Sequence, residues 1–147
     1  NEATSLEWWV SDLWGHHGLQ RLVKDLNEMY TSNAALWQLD SDPAGFRWIN
    51  ANDSAGNTFS WVRSSGDEHI AVLVNFSSEP WTNYKIGLPK AGTWTEVLNS
   101  DSGLYDGSDS YGNLGQVTAH EDSFNGFDAS ATVVVPPLGA VFFKYAD

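Results

Sequence analysis

The side chains in this sequence that could do chemistry are carboxylates, histidines, serines and an unusual number of tryptophans. With no cysteine among 147 residues, disulfides, thiolate metal sites and cysteine nucleophiles are excluded. Two carboxylates flanking a bond would be the arrangement for acid–base hydrolysis of an acetal, but no pair among the 19 Asp+Glu has a supporting motif. Asp101, Asp106 and Asp109 share a glycine-rich segment. Their spacing is not D-x-[DN]-x-[DN]-G and no glutamate closes the loop, so they read as solvated loop acids rather than a calcium site. His16 and His17 are adjacent, whereas a zinc helix needs histidines at i and i+4 with an intervening glutamate; they read as a structural or surface pair. No serine stands in G-x-S-x-G, and neither G-x-G-x-x-G nor G-K-[ST] occurs, so a serine nucleophile and a phosphate cradle lack support. No metal and no cofactor is expected in this chain, and nucleophilic catalysis by it lacks support.

The eight tryptophans remain. An indole face stacks on the C–H face of a sugar ring while neighbouring amides hydrogen-bond the hydroxyls, so exposed Trp beside Asn, Asp and Gln is a carbohydrate platform. Trp in a strand is more often core, because burying it removes about 150–250 Å² from water. On that ground Trp37, Trp61 and Trp94 are assigned to the core. Trp14, between Leu13 and Gly15, Trp81, just after Pro80, and Trp48, near the end of a short strand leading into a polar turn, are the candidate sugar-binding residues.

The elements that must position these groups follow from periodicity. Leu19, Leu22, Val23, Leu26 and Met29 form one stripe at the helical period, predicting a helix over Gly18 to Tyr30, with Asn33 as a left-handed stop. From Phe46 the period becomes two. Strands are predicted at Phe46 to Asn50, Phe59 to Arg63, Ile70 to Phe76, Tyr84 to Leu88, Trp94 to Leu98, Gln116 to Ala119, Ala131 to Val135 and Gly139 to Tyr145. The stretch Asn99 to Gly115 is too glycine-rich for a regular element. The fold class is therefore mainly β, an antiparallel sandwich preceded by one amphipathic helix. Seven Lys+Arg against 19 acids give a net charge of −12, which argues against nucleic acid and against an anionic membrane as partners. No apolar run reaches the roughly 18 residues that span a bilayer.

Several long strings then become informative together. His17-Gly18-Leu19-Gln20-Arg21-Leu22-Val23-Lys24-Asp25-Leu26-Asn27 through Tyr30 strongly resembles the HxGVQRLVRDLNxLY stretch of bacterial glycogen branching enzymes. Similar matches follow in order at Ala35 to Asp40, Asp42 to Ile49, Val74 to Ser77, Tyr84 to Pro89, Gly92 to Asp101, Gly112 to Gly115 and Pro136 to Gly139.

The resemblance implies an enzyme of the α-amylase superfamily with an N-terminal β-domain, a catalytic TIM-type barrel and a C-terminal antiparallel sandwich. Such enzymes cut an α-1,4-glucan and transfer the segment to a 6-hydroxyl through a retaining double displacement. No position here matches the family's catalytic carboxylates, so the resemblance implies no catalytic residue in this chain. Residues 1–36 are accordingly expected to be the end of the barrel, with its last helix at about 18–30, and residues 37–147 the sandwich. The helix would lean on the upstream barrel of the same polypeptide, leaving an apolar patch at Leu19, Val23 and Leu26 in this chain alone. The resemblance further implies α-glucan as partner and a cytoplasmic location. Two alternatives stay open: a stand-alone glucan-binding module, and the terminal domain of a related hydrolase.

Overall fold

The computed structural model describes residues 4–146; Asn1 to Ala3, part of the Trp-rich opening stretch, and Asp147 lie outside the described residues. Alternating apolar side chains build eight strands, β1 (Phe46–Asp53), β2 (Thr58–Ser65), β3 (Glu68–Asn75), β4 (Trp81–Leu88), β5 (Gly92–Asn99), β6 (Gln116–Ala119), β7 (Ala129–Val135) and β8 (Gly139–Tyr145). Each corresponds to a strand expected from periodicity. They form a six-stranded sheet in the order β1-β2-β3-β8-β5-β6 and a two-stranded sheet β4-β7, and every pairing is antiparallel.

The small sheet covers one face of the large one. Between them lie Ile49, Val62, Leu73, Val141 and Phe143 from the large sheet and Ile86, Leu88, Val133 and Val135 from the small one. Trp94 is fully buried here, its Nε1–H donated to the Lys90 carbonyl at 3.0 Å, so the largest apolar side chain is enclosed without an orphaned donor. Such burial is worth about 4–6 kcal/mol in gross transfer free energy.

Two helices precede the sandwich, α1 (His16–Ser32) and α2 (Ala34–Trp37). The break between them corrects the expected left-handed stop: Asn33 is extended, at φ −123° and ψ 110°. Its side chain ends α1 instead, Nδ2 donating to the Met29 carbonyl at 2.7 Å. Lys144 Nζ donates to Asn33 Oδ1 at 2.7 Å, and Ala35 N–H donates to Glu68 Oε1 at 2.8 Å. These bonds hold α2 on the outer face of the large sheet, where Ala35 packs with Ile70 and Val72, flanked by Leu36, Trp61, Val74 and Phe142.

The start of α1 is completed from far along the chain. Gly15 occupies the N-cap position with φ +82° and has no side chain to cap with. Asp106 Oδ2 accepts the N–H groups of both Gly15 and Gly18 at 3.0 Å. These are the two donors that a capping box satisfies locally. Arg21 Nη1 donates to the Leu104 carbonyl at 3.1 Å and the Tyr105 hydroxyl to Asp25 Oδ2 at 2.8 Å. Gly18 is required by this approach, since a Cβ there would meet the Tyr105 carbonyl. The 99–115 segment, expected to lack regular elements, contains a 3-10 turn at Gly103–Tyr105.

Its acids are not simply solvated, which corrects that expectation. Asp101 accepts from the Ser108 N–H and Oγ–H and from the N–H groups of Ser110 and Tyr111. Burial pushes its carboxyl up, but these hydrogen bonds outweigh burial and hold it below the usual carboxylate range. The expected apolar stripe on α1 is only partly covered. Leu19 and Val23 are exposed, while Leu22, Leu26 and Met29 are half-buried. Among the described residues, no helix is long and apolar enough to cross a membrane.

Candidate functional site

The outer face of the large sheet carries a run of aromatic rings at its β1–β2 edge. Phe46 and Trp48 alternate outward on β1, Phe59 and Trp61 on β2, and the antiparallel register sets Trp48 opposite Trp61. Phe76 follows β3 directly. Ring centroids are 5.0 Å apart for Phe46–Trp48, 6.1 Å for Trp48–Trp61, 6.3 Å for Trp48–Phe59 and 5.8 Å for Phe59–Phe76. Edge-to-face packing of this kind holds each ring in place. Trp48 is therefore buttressed on three sides yet stays 48% exposed. Phe46, Phe59 and Phe76 are also exposed, whereas Trp61 is half-buried beneath them.

The other two candidate tryptophans are placed apart from this strip. Trp14 is 83% exposed in the turn before α1, with Trp8 and Trp9 exposed in the preceding 3-10 segment Trp8–Asp12. Trp81 opens β4 half-buried against the main core, donating its Nε1–H to the Gly56 carbonyl at 3.1 Å with its ring 6.0 Å from Tyr84. The structure thus brings none of Trp14, Trp48 and Trp81 together. Of the three tryptophans assigned to the core, Trp94 is there and Trp61 is half-buried in the outer cluster. Trp37 is exposed at the end of α2, because a helix of one turn buries only Ala35.

Phe46, Phe59 and Phe76 were missed as site residues. Their signal was available: Phe46 with Trp48 and Phe59 with Trp61 are i, i+2 pairs, which place both rings of each pair on one face of a strand. What the periodicity lacks is which face the small sheet covers.

Beside Phe59 the β1–β2 turn opens a groove of about 500 Å³ lined by residues 51–54 and 57–59. At its floor Tyr84 OH donates to Asp53 Oδ2 at 2.7 Å, and the Thr58 hydroxyl donates to the same oxygen at 2.9 Å. Burial pushes the Asp53 carboxyl up, but bonds from Tyr84, the Gly56 N–H and Thr58 outweigh it, so the group is held below its ordinary value. Among the described residues no group of three or more His, Cys, Asp or Glu could hold a metal ion. The outer face thus presents exposed aromatic rings beside a groove that holds the carboxamides of Asn52 and Asn57 and the Asp53 carboxylate.

Residues 48–146, from the middle of β1 to the end of β8, match the family described as the α-amylase C-terminal all-β domain. The chain belongs to that family. Membership accounts for the paired antiparallel sheets.

Relatives resemble the chain well beyond this region. A protein of Cutibacterium acnes named 1,4-alpha-glucan branching enzyme GlgB is 54% identical over 99% of this chain and 23% of its own length. Proteins of the same name from Leifsonia xyli and Mycobacterium tuberculosis are 47% and 44% identical, over 98% and 99% of this chain and 20% of their own length. The chain thus spans about a fifth of the length of the curated relatives it matches. In all three the similarity includes α1 and α2, which precede the family domain.

Proposed function

We propose that the chain is the C-terminal portion of a 1,4-α-glucan branching enzyme, a non-catalytic unit that supports the catalytic barrel and holds substrate glucan on its outer sheet face. The parent reaction is the transfer of an α-1,4-glucan segment to a 6-hydroxyl by retaining double displacement, with the catalytic carboxylates on the barrel. The enzyme works in the cytoplasm. The barrel-supporting role rests on the exposed Trp8, Trp9, Leu19 and Val23, a run of apolar side chains that a neighbouring domain would remove from water.

The observation that carries the glucan-binding role is Trp48, an indole fixed by three aromatic neighbours and left half open to solvent. Trp14, more exposed but without a ring contact among the described residues, is the second candidate. Trp81 is the least available, its indole N–H being committed to Gly56. Titration of the chain with maltoheptaose, followed by Trp fluorescence and amide shifts, tests this reading. Saturable binding in the millimolar range that Trp48→Ala abolishes is expected. No saturable change in the unsubstituted chain would leave support of the barrel as its sole role. Branching or hydrolytic activity in the purified chain would overturn the assignment of catalysis to the barrel.

A further inference from the structure

Resting on the reading of this face as a glucan surface, we propose that Phe59 and Phe76, with the carboxamides of Asn52 and Asn57, form a second sugar subsite continuous with Trp48. A single α-linked glucan chain then lies across the sheet edge, and affinity depends on chain length.

Three observations support this. The rings follow one another at 6.3 Å from Trp48 to Phe59 and 5.8 Å from Phe59 to Phe76, without a gap that would divide the surface into separate patches. Across the β2–β3 register Phe59 faces Val74 and Trp61 faces Val72, so the side chains between the rings are uncharged. In a chain of net charge −12, a neutral strip fits a neutral polyhydroxy ligand better than an anionic one. Beside Phe59, the groove of about 500 Å³ presents Asn52 and Asn57. Both are exposed, and among the described residues neither carboxamide makes a hydrogen bond; each offers donors and an acceptor to sugar hydroxyls.

The ring orientations select the shape of that ligand. Trp48 and Phe59 are inclined at 49°, Phe59 and Phe76 at 80°. A flat ribbon such as a β-1,4-glucan stacks on coplanar rings and cannot lie on these together. An α-1,4-glucan turns from one residue to the next, which lets successive rings meet successive inclined faces.

The test is calorimetric titration of the full chain with maltotriose, maltoheptaose and cellohexaose. Maltoheptaose is expected to bind about tenfold more tightly than maltotriose, a difference of about 1.4 kcal/mol, and cellohexaose at least tenfold more weakly than maltoheptaose. The substitution Phe76→Ala, which leaves all three rings around Trp48 in place, should bring maltoheptaose to within about threefold of maltotriose while leaving maltotriose binding unchanged. Asn52→Ala with Asn57→Gly should weaken maltoheptaose in the same direction; glycine suits the φ of +52° at position 57, so this variant keeps the backbone intact. Length dependence that survives both Phe76→Ala and the asparagine double variant would overturn the second subsite while leaving Trp48 binding in place. Absence of maltoheptaose binding to the unsubstituted chain would overturn the glucan surface itself. Equal affinity for cellohexaose would refute the argument from ring inclination.

Discussion

Replacing Gly18 with alanine sets two effects against each other, and the structure decides between them. In an isolated helix alanine exceeds glycine by about 0.8–1.0 kcal/mol, so propensity alone forecasts stabilisation. Here the new Cβ would occupy the space of the Tyr105 carbonyl and the Asp106 carboxylate. The first is backbone and cannot swing aside as a side chain would. Relief requires the 103–106 turn to withdraw from α1, breaking the two N–H bonds to Asp106, the Arg21–Leu104 bond and the Tyr105–Asp25 bond. At about 1 kcal/mol net for each partly exposed bond, the loss is roughly 4 kcal/mol against a gain near 1. Net destabilisation of about 3 kcal/mol is expected.

Urea unfolding should show a lower midpoint with little change in slope, and the amides of residues 15 and 18 should exchange faster. Since Gly18→Ala and Asp106→Ala break the same contacts, their effects should fall well short of additive in the double variant. An unchanged or higher midpoint with protection retained at both amides would refute the argument.

Further outcomes are expected elsewhere. Asp101, held below its ordinary 3.8, contributes stability that is present above that value and lost as pH falls through its lower folded value. Asp101→Asn should therefore destabilise the chain at neutral pH and flatten the acid limb of a stability–pH curve below about 4. Tyr105 has its hydroxyl pushed up to about 12, first by burial and then by the Asp25 carboxylate. The folded state thus keeps a proton that the unfolded state releases near 10, so stability should fall between about pH 10 and 12 and then level off. That alkaline limb should become shallower in denaturation curves of Tyr105→Phe, the remainder coming from Tyr30 and Tyr84, whose hydroxyls are also pushed up. Asn113 is buried, accepting the Val134 N–H at 2.7 Å and donating to the Val134 carbonyl at 3.0 Å and to Glu96. Asn113→Ala should cost about 2–4 kcal/mol by urea unfolding, because it leaves the Val134 N–H and carbonyl without their partner and removes one donor from the Glu96 carboxylate.

The eight strands were legible because their side chains alternate between environments, and that alternation is a local property of the chain. Trp94 could be placed inside for the same reason. Periodicity is silent on the size of the covering layer. On the outer face the cover is the single turn of α2, which packs on Ile70 and Val72, so beyond it Trp48, Phe59 and Phe76 remain in contact with water. Trp37 was misassigned because its burial depends on α2 being a single turn, which neighbouring residues do not reveal. The candidate site was half legible: Trp48 could be named, but two of the three rings that fix it come from β2 and meet it only through strand pairing. Asp106 lay beyond reach altogether. A carboxylate in a glycine-rich loop looks solvated until the fold carries it 88 residues back to Gly18.

That separation has a consequence for the order in which the molecule is made. A ribosome adding about 5–20 residues per second leaves the first turn of α1 without its partner for roughly 4–18 s. Most of the stability of a helix such as the 17-residue α1 comes from tertiary packing rather than from its own propensity. During that interval the helix is a provisional element, and β1 to β5 emerge before its cap exists. Its junction with the 103–106 turn therefore closes late in synthesis, and a ribosomal pause just before the codon for Asp106 would prolong the time in which α1 is free to associate with other surfaces.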